Sequence, residues 1–398
     1  MAMRVTDSTL YRKYTTAVND VHSKLNKSMN KIATGAAYET AADNPLAYYS
    51  GKRMDNMYQD ILGKQDLLED VKNRLHQQEL GARSIQSTLA TDAKGGNVLT
   101  QISYILNSTN NEISTTVGTV RDDLIQKQQS MIDDLNTQYQ NYFVYGGNDL
   151  STTPFKLDYN PDGDGMLLTY SHKFSGDTTT TEFTFKLEKD PAGGFTFKLQ
   201  NPAADPDLGD KLIAAMSEQG NMDVGYGNVH DTNTLIDTYT GGLNVLTGYT
   251  SDVMKKGGVS VADIEKALGN SAVGLTGQAI DTLDKYIKFL DNDRTPAIGN
   301  IDKDEFSKQL NSILDEIDVS SSKLSSIYSD LGSKYNQLEK TADRLSDEKI
   351  ALETQYKEVL GADPYEAIIE MFSHQRSYQA SLQVSANLMN MSLFSYMR

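Results

Sequence analysis

The sequence predicts a mainly α-helical fold: a discontinuous bundle or coiled coil of long helices, formed by the amino- and carboxy-terminal regions, with a small, β-rich α+β domain inserted in the centre. Three observations predict it. Residues 46–153 and 297–363 contain no proline, an absence typical of long helices. Apolar residues in these regions recur at alternating spacings of three and four. Most of the glycines lie in 154–299, where short runs alternate apolar and polar residues.

The first segment carries a coiled-coil-like stripe that predicts one helix. Its residues follow spacings of four and three and end near Gly35, which is suited to a helix C-terminus. The stripe consists of Tyr14, Val18, Val21, Leu25, Ser28 and Ile32.

Three further stripes predict the helices of the body, where the core face of a bundle is the simplest interpretation. One runs from Ile61 to Leu89, and a second from Ile113 through Tyr142 after a break at Gly95-Gly96. The third runs from Leu324 to Val359 and is interrupted only by Lys349. We expect these helices to pack side by side although they are far apart in sequence.

The last segment follows Gly361 and Pro364, which stop the preceding helix. Its predicted stripe contains Ile368, Met371, Phe372, Tyr378, Leu382, Ala386, Met389, Leu393 and Tyr396. Nothing else in the chain remains to cover both terminal stripes, and a lone pair of helices is only marginally stable. We therefore expect the ends to be mobile in the monomer and to become helical against other copies.

Charge separates the ends from the middle in the same way. The net charge of the chain is −17, yet residues 1–50 carry +2 and residues 364–398 are neutral. Nearly neutral, apolar-striped ends cost less to desolvate than an acidic body. We predict a terminal assembly domain (1–45 plus 364–398), a helical body (46–154 plus 300–363) and an inserted outer domain (155–299).

The centre carries clear strand patterns. Alternation predicts strands at 155–159, 166–170, 181–187 and 195–199, the last two forming a hairpin. Short helices are expected around 208–218, 261–269 and 276–291.

Composition excludes several functional classes. With no cysteine and five scattered histidines, the chain has no thiolate chemistry and little imidazole chemistry. Its acidity argues against nucleic-acid binding, and no apolar run is long enough to span a membrane. Its beginning also lacks the apolar stretch of a secretory signal.

One segment is similar to the start of a calcium-binding loop, with oxygen ligands on alternate residues before a turn: Asp158, Asn160, Asp162 and Asp164. Thr169 stands where a bidentate glutamate is needed, so an acidic hairpin turn is the better interpretation. We found no motif for catalysis, and we expect no cofactor and no enzymatic activity.

Both ends resemble the flagellin family. The resemblance lies in Arg4-Val5-Thr6, Lys31–Gly35 and Ala42–Ala47 near the amino terminus, in Tyr142–Asn148 before Pro154-Phe155, and in Tyr378–Met397. Asn44 stands where the family usually has aspartate. The later motifs are similar to those of the family members that join the flagellar hook to the filament.

The resemblance implies a structural adaptor whose termini pair as a coiled coil inside the flagellum. Implied partners are hook-associated protein 1, flagellin or the filament cap, other copies in a ring or helical array, and a cytoplasmic export chaperone on the carboxy-terminal helix. Type III export without a cleaved signal peptide to the extracellular flagellum is also implied. Two alternatives remain: a filament subunit, or a secreted module that binds calcium or carbohydrate through residues 155–300.

Overall fold

The structure is a computed structural model of the chain. It describes residues 2–38, 40–91, 96–108, 111–160, 165–189, 194–200, 205–223, 235–292, 294–295 and 299–396, without the side chains of 2–8, 10, 91, 223 and 385–396. The chain divides into two compact units. Unit 1 comprises Met1–Leu67 with Ala342–Arg398, and unit 2 comprises Leu68–Thr341. The division into three domains stays a prediction.

The long helices lie at the two ends of the chain, as expected, and the shorter ones in between. The helices are α1 (Ala2–Thr34), α2 (Pro45–Gln86), α3 (Val98–Asn107), α4 (Ser114–Leu135), α5 (Leu208–Ser217), α6 (Gly242–Thr247), α7 (Ser251–Lys256), α8 (Val261–Gly269), α9 (Ala272–Asp291), α10 (Lys303–Leu360) and α11 (Pro364–Tyr396). A π-helical turn at Ser87–Thr91 extends α2. None of the described helices combines the length and apolarity that a membrane span requires.

The strands form one four-stranded antiparallel sheet and two small hairpin-like pairs. The strands are β1 (Gln138–Tyr139), β2 (Tyr142–Phe143), β3 (Phe155–Asn160), β4 (Gly165–His172), β5 (Thr181–Lys189), β6 (Phe195–Leu199), β7 (Asn221–Asp223) and β8 (Leu235–Asp237). The large sheet has the order β3-β4-β5-β6, β1 pairs with β2, and β7 pairs with β8. A mainly α fold with an inserted β-rich region is confirmed.

In unit 2, α2 packs along α10 through polar as well as apolar contacts. The ammonium group of Lys72 lies 5.2 Å from the ring centroid of Tyr335, and Gln86 Nε2 donates to the carbonyl oxygen of Ser321 at 3.0 Å. Leu75 on α2 and Leu338 on α10 are fully buried. Helices far apart in sequence therefore do pack side by side.

The inserted region builds its core from both strands and helices. Phe183, Phe185 and Phe197 are fully buried on one face of the sheet because side chains alternate between the two faces of a strand. Helix α8 lies against β6, and α9 runs along α4. All four strands and all three helices predicted here are present, with ends shifted by a few residues.

The predicted helix after Gly95-Gly96 is wrong at both ends of its stripe. Ile113 precedes α4 and is 49% exposed, while Tyr139 and Tyr142 lie beyond its end at Leu135. The chain reverses there through Gln140 and Asn141, both with positive φ, so that the two tyrosines pair across β1 and β2. A tight hairpin replaces the expected last turns of helix.

Candidate subunit-packing surface

The two joints of unit 1 pair with one another through their backbones. Helix α1 ends at Thr34, and Gly35 adopts a φ of +69°, which only glycine adopts readily. Ala37 N donates to the carbonyl oxygen of Leu360 at 2.6 Å, and Ala362 N donates to that of Gly35 at 2.9 Å. These bonds hold the segment after α1 beside the segment before α11. The expected glycine stop of α1 is confirmed.

Side-chain capping fixes the start of α2 within the same unit. Asn44 Oδ1 accepts from the backbone N–H of Ala47 at 3.2 Å, which is the bond of a helix N-cap. Asparagine therefore serves as the cap at the position where the family usually has aspartate. Pro45 follows as the first helical residue, where its missing N–H costs nothing.

Asp43 ties this joint to α1. Its carboxylate accepts from Lys27 Nζ at 2.7 Å and from the hydroxyl of Thr40 at 2.8 Å. The bond from Lys27, followed by that from Thr40, lowers the pKa of Asp43 to about 2. The carboxylate is thus charged at any physiological pH.

Helices α1 and α11 lie side by side and run antiparallel. Lys31 Nζ lies 3.1 Å from Glu370 Oε2, and the ring centroids of His22 and Tyr378 are 5.3 Å apart. Tyr14, Val18, Val21 and Leu25 are half-buried on the side of α1 that this pair covers. The two helices of one chain therefore cover part of the amino-terminal stripe.

The facing side of α11 has a register different from the one that the sequence predicts. The residues at least partly buried there recur at spacings of three and four: Ala367, Met371, His374, Tyr378 and Ser381. Met371 and Tyr378 belong to the predicted stripe. Three other large residues of that stripe, Ile368, Phe372 and Leu382, stand one position further along the chain and remain exposed.

Exposure divides the predicted stripe residues into four groups. Ser28 is buried. Those of α1 from Tyr14 to Leu25, together with Met371 and Tyr378, are half-buried. Four others are exposed to between 39% and 50%: Ile32, Ile368, Phe372 and Leu382. Ala386, Met389, Leu393 and Tyr396 lie in α11, but their side chains are outside the described part of the structure.

Further exposed apolar residues were missed because they stand outside the predicted registers. Most of the large apolar side chains that the described residues expose belong to unit 1, which is the smaller unit. Beyond the four above they include Tyr11, Met29, Leu46, Tyr49, Met57, Ile350, Tyr365, Ile369 and Val384. These residues are recognised by their size and by their exposure in the structure, and not by their heptad position.

The acidic segment that begins at Asp158 belongs to a hairpin. The described residues on the two sides of its turn pair with one another as β3 and β4. Asp158 and Asn160 lie in β3, where Asp158 pairs with Leu167 of β4 and Asn160 with Gly165. The carboxylate of Asp158 lies 2.7 Å from Lys156 Nζ. Asp162 and Asp164 fall outside the described residues. Among the described residues, no group of three or more histidine, aspartate or glutamate side chains could hold a metal ion.

The turn at Tyr142–Asn148, which is rich in aromatic residues and glycine, packs into unit 2. Tyr145 is fully buried, and its hydroxyl donates to the carbonyl oxygen of Gln78. A side chain at Gly81 would collide with the tip of this ring. Burial raises the pKa of Tyr145 far above its ordinary value, so the phenol stays protonated. The turn is a structural element.

Comparison with known families identifies one segment. Residues 314–397 match the profile described as the bacterial flagellin C-terminal helical region. The match covers α10 from residue 314 to its end and the whole of α11. The resemblance of the carboxy-terminal end to flagellin is thereby confirmed. No curated protein matches the chain.

Three solved structures are similar at low identity. A putative flagellar hook-associated protein from Vibrio parahaemolyticus is 12% identical over 80% of this chain and 100% of its own, with a TM-score of 0.45. FlgL from Bacillus cereus is 14% identical over 79% and 100%, with a TM-score of 0.33. Flagellar hook-associated protein-3 from Legionella pneumophila is 13% identical over 77% and 98%, with a TM-score of 0.39.

Proposed function

We propose that this chain, which carries a flagellin C-terminal helical region at residues 314–397, is a structural component of the bacterial flagellum. Its role is that of an adaptor joining hook and filament, the role of hook-associated protein 3. It acts by mutual burial of terminal helices between neighbouring subunits and performs no catalysis.

The observation that best supports this proposal is how α1 and α11 pack against each other. Their internal contact leaves large apolar residues of α11 such as Ile368, Phe372 and Leu382 exposed. Large apolar side chains exposed together on one helix mark a contact with another molecule. An array of identical subunits supplies that contact because each terminal pair can cover the exposed side of the next.

The joints support the same role. Main-chain bonds between residues 35–37 and 360–362 hold the two terminal helices together at one end. A subunit built in this way presents both helices to its neighbours as one element. Residues 51–363 carry a net charge of −19. Because burying charged groups is costly, this part of the subunit favours contact with solvent.

Within this proposal the neighbours are hook-associated protein 1 on one side and flagellin or the filament cap on the other. An export chaperone would hold α11 before assembly, because its exposed apolar residues would otherwise aggregate. The protein would reach the extracellular flagellum through the type III apparatus without a cleaved signal peptide.

The experiment is to label the protein on isolated flagella with an antibody against residues 155–299. The proposal expects a single labelled position at the boundary between hook and filament. Label along the whole shaft would instead identify a filament subunit. Absence of label from flagella that carry an intact junction would contradict both.

A further inference from the structure

A polar cleft lies in unit 2. It encloses about 600 Å³ between the start of β6, the C-terminal end of α8, the second turn of α9 and the first turns of α10. A cleft of this size fits a small ligand. Its lining is unusually polar, with carboxamides from Asn270, Gln278 and Gln309.

Both carboxylates in the cleft are already engaged. Glu305 Oε1 accepts from Gln309 Nε2 at 2.7 Å and lies 3.1 Å from Lys189 Nζ. Glu316 Oε2 accepts from Asn270 Nδ2 at 3.2 Å. The bonds from Gln309 and Lys189, and more weakly the charge of Lys308, lower the pKa of Glu305.

Two lysines of the lining have no such partner. Lys266, in the last turn of α8, and Lys308 of α10 make no hydrogen bond or ion pair within the described part of the chain. With Lys189, they give the cleft three ammonium groups against two carboxylates, in a protein of net charge −17. The lining of the cleft therefore carries one more positive than negative charge.

The wall of the cleft also contains an unused hydroxyl. Thr196 of β6 is 6% exposed, and its Oγ1 has no hydrogen-bond partner among the described residues. A buried hydroxyl without a partner is uncommon in a folded protein. Together with the neighbouring carboxamides, it makes this wall suited to a guest with several hydroxyl groups.

From the unpaired lysines and the carboxamide-rich wall we infer that the cleft binds a small anionic sugar, a sugar acid or a sugar phosphate. Lys266 and Lys308 bind the anionic group. An ammonium group is a point charge and can bind a carboxylate or a phosphate. Asn270 and Gln309 donate the second N–H of their carboxamides to the sugar hydroxyls, since the first N–H of each bonds to Glu316 or Glu305. The inference goes beyond the proposed function, because it concerns the isolated subunit and no assembly contact.

The experiment is ligand-observed saturation-transfer NMR on the full chain with glucuronate and with glucose 6-phosphate. Glucose, acetate and inorganic phosphate serve as comparison probes. We expect saturation transfer to at least one anionic sugar, with an affinity at least tenfold above those of the comparison probes. The K266A/K308A double variant should lower that affinity at least tenfold.

The matched control is the K255A/K256A double variant, which removes the same charge from α7 in the same unit. It should bind as the unmodified chain does, and both variants should retain the parent melting temperature because all four lysines are exposed. If K266A/K308A unfolds, the single variant K308A replaces it. Equal binding by variant and parent, equal binding of glucose or bare anions, or no binding at 10 mM would overturn the inference. None of these outcomes bears on the labelling of flagella.

Discussion

The side chain of Leu360, the last residue of α10, occupies the space that a side chain at Gly51 of α2 would need. Both residues are buried in unit 1. The absence of a Cβ at Gly51 lets the two helices approach closely beside the paired joints.

Gly51→Ala is therefore expected to destabilise unit 1. Alanine gains about 1 kcal/mol of helix propensity over glycine, but overpacking costs about 1–3 kcal/mol. Gly63→Ala is the matched control, since nothing lies within 4 Å of a Cβ there. It should stabilise the same helix by up to about 1 kcal/mol. Urea unfolding followed by circular dichroism measures both, and a stabilised Gly51→Ala variant would show that Leu360 moves aside without cost.

Tyr145→Phe should destabilise unit 2 by about 0.5–1.5 kcal/mol, because the lost hydroxyl donates to the carbonyl oxygen of Gln78 in a fully buried site. Tyr142→Phe, three residues earlier and 52% exposed, should leave the free energy of unfolding unchanged. Chemical denaturation of the two variants makes the comparison. Equal effects would mean that the buried hydroxyl contributes nothing.

Thr196→Val should leave stability unchanged or raise it by about 1 kcal/mol, since the buried hydroxyl has no partner among the described residues and valine has nearly the same shape. Thr282→Val is the control: its hydroxyl donates to Gln278 and lies 3.1 Å from Gln309 Oε1. That variant should lose stability. The melting temperatures of the two variants should shift in different directions, and a large loss from Thr196→Val would reveal a hydrogen bond at that hydroxyl.

The carboxyl group of Asp43 should titrate with a midpoint at about 2, because Lys27 and Thr40 both donate to its charged form. Its pKa is lower in the folded than in the unfolded chain. Its contribution to stability is thus complete above about pH 4 and is lost as the pH falls towards 2. Carboxyl-carbon NMR of the full chain measures the midpoint, and Lys27→Met should raise it. A midpoint near 4 in the unmodified chain would mean that the contact is not kept in solution.

Phe372→Asp and Leu382→Asp should prevent assembly while leaving the monomer's melting temperature unchanged, because both side chains are about half exposed in the single chain. Gln375→Asp on the same helix adds the same charge at an exposed polar position and should assemble normally. Motility of the variant strains and sedimentation of the purified proteins give the two readouts. Normal swimming with either apolar-to-aspartate variant would argue against packing through this side of α11.

The long helices and the positions of the strands could be predicted from the sequence because periodicity reflects which side of an element is buried. The stripe of α10 shows this well: Leu324, Leu331 and Leu345 are buried as expected. Its one interruption also has a physical reason. The ammonium group of Lys349 lies 5.5 Å from the ring centroid of Tyr58, so a charged residue fits a position otherwise held by leucine.

Other features depend on contacts that a periodic pattern does not encode. The short helices α6 and α7 and the β7–β8 pair were not predicted, since each is too short to show a period. In α11, the stripe predicted that Ile368, Met371 and Phe372 are packed, but only Met371 is partly buried, beside Ala367. The exposure of the other two depends on contacts of the folded chain that a spacing pattern does not encode.

The terminal helices α1 and α11 each contain 33 residues, and backbone bonds at the joints fix one end of the pair. At about 1.5 Å per residue, both extend about 50 Å from that fixed end. Inserting one residue into either helix would rotate everything beyond it by about 100° and leave an overhang at the far end. Evolution can therefore lengthen or shorten this pair only by compensating changes in segments more than 300 residues apart in the sequence.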